Sequence, residues 1–247
     1  MSNNNAKTTG YDPRYHDRQF VSPYQSTVSF CDWLVGLDAL GSGHSTSICD
    51  LGCGKGASLY YMAKRFPESK FTGLDIDEQL IRDGCDYFSK MSVPNCRLSV
   101  CDLHSVDTCV SKGEFDGVIS LQTLSWLPGY EKALDAIISL SPEWIALTSL
   151  FYEGPVEAKT VITQFEPDAE DEVILYYNTY SLPRVKQYLH DRGFAKFKHK
   201  RFDISIDLPK NTDGRMQTYT EKTDEGRRLQ ISGPLLMNWY FIYASLG

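Results

Sequence analysis

The chain has 247 residues, 42% of them apolar, and a net charge of −7 from 25 Lys+Arg against 32 Asp+Glu. A chain of this length and composition can close a core without disulfides or metals, which excludes a disordered, collagenous or coiled-coil protein. The acidic balance also argues against broad nucleic-acid binding, which needs a basic footprint.

Strand and helix patterns alternate along the chain, the signature of a parallel sheet covered by helices. Residues 25–40 predict a helix ended by the glycines at 41 and 43, with Val28, Cys31, Leu34, Val35 and Leu37 near one face. Strands are expected at 47–51, 70–76, 96–101, 115–121 and 144–151, with helices at 57–66, 78–91 and 130–140 between them. A helix at 181–192 and a closing strand pair at 194–206 and 238–246 complete about seven strands in one domain spanning 1–247. Two segments, 154–180 and 207–237, exceed ordinary connection lengths and read as functional insertions. The second is expected to hold a hairpin, 216–222 with 227–232.

The seven cysteines are scattered without a C-x-x-C pair, so neither a disulfide framework nor a zinc site is expected. They read as small core residues in a reducing compartment. The polar first ten residues lack the apolar run of a signal peptide, and the most apolar stretch, 234–246, is too short to span a bilayer. The expectation is a soluble cytoplasmic protein with no metal and no membrane contact.

The sharpest motif is DLGCGKG, Asp50 to Gly56: a buried strand running through three alternate glycines into a helix. Glycines permit positive φ and let a ligand lie on bare backbone, and the helix start offers unpaired N–H groups. Gly52, Gly54 and Ala57 also fit the dinucleotide fingerprint, a weak match by itself. Asp50, two residues before the first glycine, favours the other cofactor class: a carboxylate there can reach an ammonium but would repel a pyrophosphate. Asp75, 23 residues beyond Gly52, ends the second strand where it can accept from ribose hydroxyls, a feature that suits a dinucleotide equally. Asp102 follows the third strand, within reach of an exocyclic adenine amine. Together the three acids ask for a ligand with a cationic end, a ribose and an adenine, lying across the carboxyl ends of the strands. S-adenosylmethionine has those parts.

With these motifs, FTGLDID (Phe71 to Asp77), Cys101-Asp102-Leu103 and FDGVISLQTLSWL (Phe115 to Leu127), the chain resembles a class I S-adenosylmethionine-dependent methyltransferase, strongly over roughly 25–150. The resemblance implies a Rossmann-like α/β fold whose seven-stranded sheet has order 3-2-1-4-5-7-6, with the last strand antiparallel. It implies that Gly52, Cys53, Gly54 and Gly56 line the methionine and ribose with Asp50, and that Asp75 binds the ribose. Ile76, Asp102 and Leu103 would frame the adenine, and Gln122 would meet the methionine end or the entering substrate. Asp77 and Asp116 match nothing functional and read as solvated.

Methyl transfer needs alignment more than a catalytic side chain, so no base is nominated firmly. The weak candidates are Tyr15, His16 and Gln122. Residues 1–24 are expected to form a lid, with Tyr11 and Tyr15 at i and i+4 closing on the acceptor. Trp126, Tyr152, Tyr177 and Arg215 complete the substrate candidates. Charge is segregated: residues 153–172 hold seven acids and one Lys, while 193–230 are mildly basic, as if two loops gripped one polar substrate. The reading is methyl transfer to O or N of a small polar metabolite or natural-product intermediate, open as to homodimerisation. Alternatives are a peptide or protein acceptor, a non-catalytic cofactor-binding module, and an NAD(P)-dependent reductase. The last rests on the Tyr60-x-x-x-Lys64 spacing, which falls on the helix after the glycine turn and reads as coincidence.

Overall fold

A computed structural model describes residues 14–41, 45–165, 172–210 and 216–247, the side chains of Arg14, Tyr15 and His16 excepted. Seven strands form the main sheet: β1 (Ser47–Leu51), β2 (Lys70–Asp75), β3 (Cys96–Val100), β4 (Gly117–Leu121), β5 (Trp144–Ser149), β6 (Lys196–Phe202) and β7 (Trp239–Ser245). Their spatial order is 3-2-1-4-5-7-6. β1 to β5 pair in parallel, and β7 runs antiparallel to both its neighbours, as the resemblance implied. The helices are α1 (Arg14–Val21), α2 (Gln25–Gly36), α3 (Ala57–Arg65), α4 (Glu78–Met91), α5 (Glu131–Ser139) and α6 (Leu182–His190).

The period-2 alternation of the strands builds two cores, one on each face of the sheet. Ile48, Phe71, Ala146 and Phe241 pack with Phe30, Leu34, Leu59 and Met62 of α2 and α3 on one face. Cys49, Val118, Ile145, Leu147 and Ile242 pack with Leu134, Ile137, Val185 and Leu189 of α5 and α6 on the other. Sheet and helices are matched to small residues: a Cβ on Gly117 would lie 2.1 Å from Trp144, so only glycine fits where β4 begins beside β5.

Several expectations need correction. Helix α2 ends at Gly36, before the glycines at 41 and 43. Asp38 turns left-handed at φ 60°, and the amides of Asp38 and Ala39 bond back to the carbonyls of Val35 and Leu34. That pair of bonds closes the last turn as a Schellman motif, which short polar residues tolerate. Its inner face is Thr27, Phe30, Cys31 and Leu34, whereas Val35 is exposed. Cys101 and Cys109 are joined in a disulfide, against the expectation of none. The turn at Leu103–Thr108 brings their Cα atoms to 6.2 Å, a proximity that no C-x-x-C pattern announces. Cys31, Cys49 and Cys53 are buried, as core residues should be.

The insertions carry their own sheets. In the first, Val161–Phe165 pairs with Glu172–Tyr176 in a hairpin that was read only as a long connection. In the second, Thr218–Lys222 pairs with Arg228–Ser232 as expected, extended by Leu235–Leu236.

Asp77 and Asp116 are not idle solvated groups. Asp116 accepts from Ser47 N at 2.7 Å and ties the entry of β4 to β1. Asp77 is the N-cap of α4, accepting from Gln79 N and Leu80 N at 2.9 and 3.0 Å. Asp77→Ala is therefore expected to lower stability by about 1 kcal/mol and Asp77→Asn by less, measured by urea denaturation.

Candidate active site

The turn after β1 is held by its own backbone. Gly52, Gly54 and Gly56 have φ of 82°, 56° and 75°, which residues with a Cβ adopt only under strain. There is also no room for one: a Cβ on Gly52 would meet Thr123 Oγ1 at 2.4 Å, and one on Gly56 would meet Leu98 at 2.9 Å. The amides of Gly52 and Cys53 both donate to Leu74 O, and Gly54 N donates to Asp75 Oδ2 at 2.7 Å. These N–H groups are satisfied within the protein, so the turn presents a bare, pinned surface rather than a set of free donors. No side chain caps α3, whose N-terminus opens from Gly56.

Asp75 spans the turn and the next helix, because its second oxygen accepts from Asp77 N at 2.9 Å. Burial raises its pKa, partly offset by these backbone bonds. A carboxylate has roughly four lone-pair sites, and the backbone amides of Gly54, Asp77 and Ile76 take up only part of that capacity. Asp50 is more exposed electrostatically than sterically: its side chain is buried, yet Oδ1 has no hydrogen-bond partner. Burial, then repulsion from Asp75, pushes its pKa up to about 8, with a backbone bond at Leu121 opposing. A buried acceptor left unpaired beside a second carboxylate asks for a cation.

Asp50, Gly52 and Cys53 line a cleft of about 70 Å³ together with Gln122 and Thr148 from the ends of β4 and β5. Gln122 sits at φ 61°, with its amide bonded to Thr148 O and Oγ1. Strained backbone of this kind persists only where surrounding structure enforces it. The opposite wall is Gln19 of α1 with Tyr24, Ser26 and Thr27, while Ala57 and Ser58 complete it. These wall residues were missed in the sequence. Gln19 was nevertheless findable, since the i, i+4 spacing that selected Tyr11 and Tyr15 leads on to it.

Helix α1 is fastened over the turn by two devices. Phe20 stacks on Tyr87 at 3.9 Å between ring centres and meets Tyr60 edge-on at 5.6 Å. Lys55, inside the glycine motif, has its side chain 9% exposed and pairs with Asp17 of α1 at 3.0 Å and Asp83 of α4 at 2.9 Å. Burial works against its charge, but the hydrogen bonds to Asp83 and Asp17 outweigh that and raise its pKa. The Tyr60–Lys64 pair lies outside the cleft lining, with Tyr60 buried among Phe20, Tyr87 and Phe88.

The remaining predicted residues are distributed as follows. Ile76 is 62% exposed at the end of β2, an apolar surface open to a ring. Asp102 is exposed and caps the turn Leu103–Thr108 through His104 N, with Leu103 half-buried beside it. Trp126 is part-exposed and packs edge-on against Tyr177 at 4.9 Å. Tyr152 is exposed, whereas Tyr177 is buried between Trp126 and Trp239, so it backs a wall rather than offering a free hydroxyl. Tyr11 and Arg215, and the side chains of Tyr15 and His16, lie outside the described residues. Among the described residues no cluster of His, Cys, Asp and Glu is arranged to hold a metal.

Residues 42–164 match the family model of a methyltransferase domain. The chain is 27% identical over 141 residues to (S)-coclaurine N-methyltransferase of Papaver somniferum, covering 56% of this chain and 36% of that protein. It is 26% identical over 99 residues to trans-aconitate 2-methyltransferase of Escherichia fergusonii, covering 40% and 36%. The matched stretch thus spans little more than a third of the length of either relative. Its fold resembles magnesium protoporphyrin IX methyltransferase from Synechocystis PCC 6803 with bound SAH (TM-score 0.56, 15% identity, 96% and 90% of the two chains). It also resembles a SAM-dependent methyltransferase from Aquifex aeolicus (TM-score 0.53, 14% identity, 96% and 100%). Residues 42–164 are thus a methyltransferase domain, and the sheet around them has the order of the class I S-adenosylmethionine-dependent methyltransferase fold.

The raised pKa of Asp50 makes the free protein sensitive to pH. An acid whose pKa is raised by folding binds protons more tightly in the native state, so stability falls as pH rises from the ordinary 3.8 to about 8. Asp50→Asn is expected to flatten that fall and to leave the ligand-free protein more stable than the parent at pH 8, measured by thermal melts between pH 4 and 9.

Proposed function

We propose that this protein transfers the methyl group of S-adenosylmethionine to an O or N atom of a small molecule. The observation that carries the reading is the unpaired, buried carboxylate of Asp50 beside a glycine turn that has no room for a Cβ at Gly52 or Gly56. The residues present fit the cofactor. Asp50 would receive the ammonium, which relieves both its burial and its repulsion by Asp75. The remaining lone-pair capacity of Asp75 would accept from the ribose. Ile76 and Leu103 would enclose the adenine, with Asp102 at its amine, and Gly52 and Gly54 would let the ligand lie against main chain.

When bound, the cofactor supplies an electrophilic methyl on a sulfonium, and the chemistry of the transfer is its own. What the chain contributes is position. Gln122 and Thr148, at the ends of adjacent strands, would set the face from which the acceptor approaches. Gln19, Tyr24 and Thr27 close the cleft opposite and exclude water. Holding two reactants in line can supply roughly 7–11 kcal/mol of the barrier, so no general base is required by this reading. The acceptor would enter past Trp126 and Tyr152, whose rings are exposed.

Binding the ammonium ionises Asp50, so affinity for S-adenosylhomocysteine is expected to rise with pH up to about 8. S-adenosylhomocysteine should stabilise the protein in a thermal-shift experiment and NADH should not. Asp75→Ala is expected to abolish the shift, and an unchanged shift would overturn the ribose assignment. Incubation of a cell extract with labelled methyl donor, followed by mass analysis of the labelled product, identifies the acceptor. Label confined to protein instead of small molecules would favour the peptide reading.

A further inference from the structure

Two buried donors lie unpaired away from the cofactor residues: Trp239 Nε1 and Gln230 Nε2. Each side chain is 5% exposed. An indole N–H and a carboxamide NH₂ both seek an acceptor, and native proteins rarely bury such groups without one.

The two donors share one corner of the fold. Trp239 pairs with Phe202 across β6 and β7, and Gln230 Oε1 accepts from Ile204 N at 3.2 Å, two residues further on. Two chains of contact connect that corner to the cofactor cleft. Ser205, next to Ile204, is hydrogen-bonded both ways to Gln25, whose neighbours Tyr24 and Ser26 line the cleft. The ring of Trp239 meets Tyr177 at 6.3 Å, and Tyr177 meets Trp126 at 4.9 Å, four residues beyond Gln122 of the cleft. Trp239 therefore ends an aromatic run, through Tyr177 to Trp126, that starts four residues along the chain from the cleft residue Gln122.

Charge around this corner is spent. Arg201 pairs with Asp203, Lys222 and Arg228 both pair with Asp207, and Arg227 pairs with Glu225. Lys222, Arg227 and Arg228 of the second insertion are thus paired with neighbours, while Lys210 lies over the ring of Tyr219 at 5.3 Å. What remains is a pair of neutral donors set among aromatic rings, with Ile206, Met216 and Leu236 as an exposed apolar rim.

We propose that Trp239 and Gln230 form a substrate subsite that receives an uncharged oxygen, such as a carbonyl or phenol, on a flat, largely apolar methyl acceptor. This assignment rests on the methyl-transfer reading and narrows its acceptor class. Trp239 Nε1–H and Gln230 Nε2–H would both donate to that oxygen, orienting the ring along Tyr177 and Trp126. A carboxylate would gain the same bonds but lose its hydration in meeting two neutral, buried donors.

Four tryptophans give four indole signals in the ¹H–¹⁵N spectrum, assigned through Trp33→Phe, Trp126→Phe, Trp144→Phe and Trp239→Phe. Any three of these variants complete the assignment by elimination. Full-length protein, with and without S-adenosylhomocysteine, is titrated with acetophenone, benzoate and ethylbenzene. Acetophenone is expected to move the Trp239 indole proton downfield to saturation, and ethylbenzene at equal concentration should leave it in place. Benzoate should bind more weakly than acetophenone. Gln230→Glu, which keeps the acceptor to Ile204 and replaces the donor by an oxygen, should weaken acetophenone about tenfold. A Trp239 signal indifferent to acetophenone, or one that prefers benzoate, overturns the subsite. Failure of S-adenosylhomocysteine to bind overturns the cofactor reading separately, since the Trp239 response is also read in the unloaded protein.

Discussion

The bridge made by Asp75 between Gly54 N and Asp77 N is the contact on which the site depends. One carboxylate closes the glycine turn against the end of β2 and fixes the entry of α4, whose cap is the adjacent Asp77. Leu74 O reinforces it by taking the amides of Gly52 and Cys53. The three positive φ angles of the turn are thus imposed by neighbouring backbone, and the strained conformation is stored where a ligand must approach closely. Sheet register follows the same logic. β1 and β2 pair from Ser47↔Lys70 to Leu51↔Leu74, which sets Asp75 one residue past the end of the ladder, opposite the turn it holds.

That placement has an electrostatic consequence. Asp50 ends up buried, with Asp75 as its nearest charge and nothing at Oδ1. Removing a carboxylate from water without a partner is unfavourable, and a second carboxylate makes it worse. The protein tolerates this because the proton can remain on Asp50 while the site is empty. A cationic ligand reverses the balance: it supplies the missing partner and draws the proton off. Affinity and ionisation are then one event, and the instability of the empty site becomes selectivity for a ligand with a positive end. Lys55 does not relieve Asp50, because its ammonium is committed to Asp17 and Asp83 on the outer side of the turn. The single cation of the motif is used to hold α1 in place.

Most of the main sheet and its helices could be read from the chain, with boundaries within a residue or two. α4 is the clearest example: its limits, Glu78–Met91, are those expected, although its cap, Asp77, emerges only from the structure. The proposed cofactor residues are equally local, since Asp50, Gly52, Gly54, Asp75 and Asp102 lie at consecutive strand ends and need no knowledge of distant packing. What escaped was set by long-range contact. Thr148 enters the cleft only because β5 lies beside β4, and Gln19 only because Phe20 and Lys55 dock α1. Tyr177 was taken for a pocket residue on its type, but packing between two tryptophans buries it. The Cys101–Cys109 bridge hides in a spacing of eight that becomes close only when the intervening turn forms.

The acceptor side follows a different rule from the cofactor side. The cofactor is met by main chain and by carboxylates that the Rossmann-like frame presents in order along the sequence. The proposed acceptor wall draws on the end of β4, both insertions and the start of β7, segments separated by more than a hundred residues. Local charge is a poor guide there, because Asp207 and Glu225 pair with Lys222, Arg228 and Arg227 of the second insertion. The unsatisfied groups are more informative than the satisfied ones. On the cofactor side the orphan is an acceptor, Asp50, and on the acceptor side the orphans are donors, Trp239 and Gln230. Opposite polarities at the two ends of one aromatic-walled route are what a site needs to hold a cation at one end and an oxygen at the other, with the reacting atoms between them.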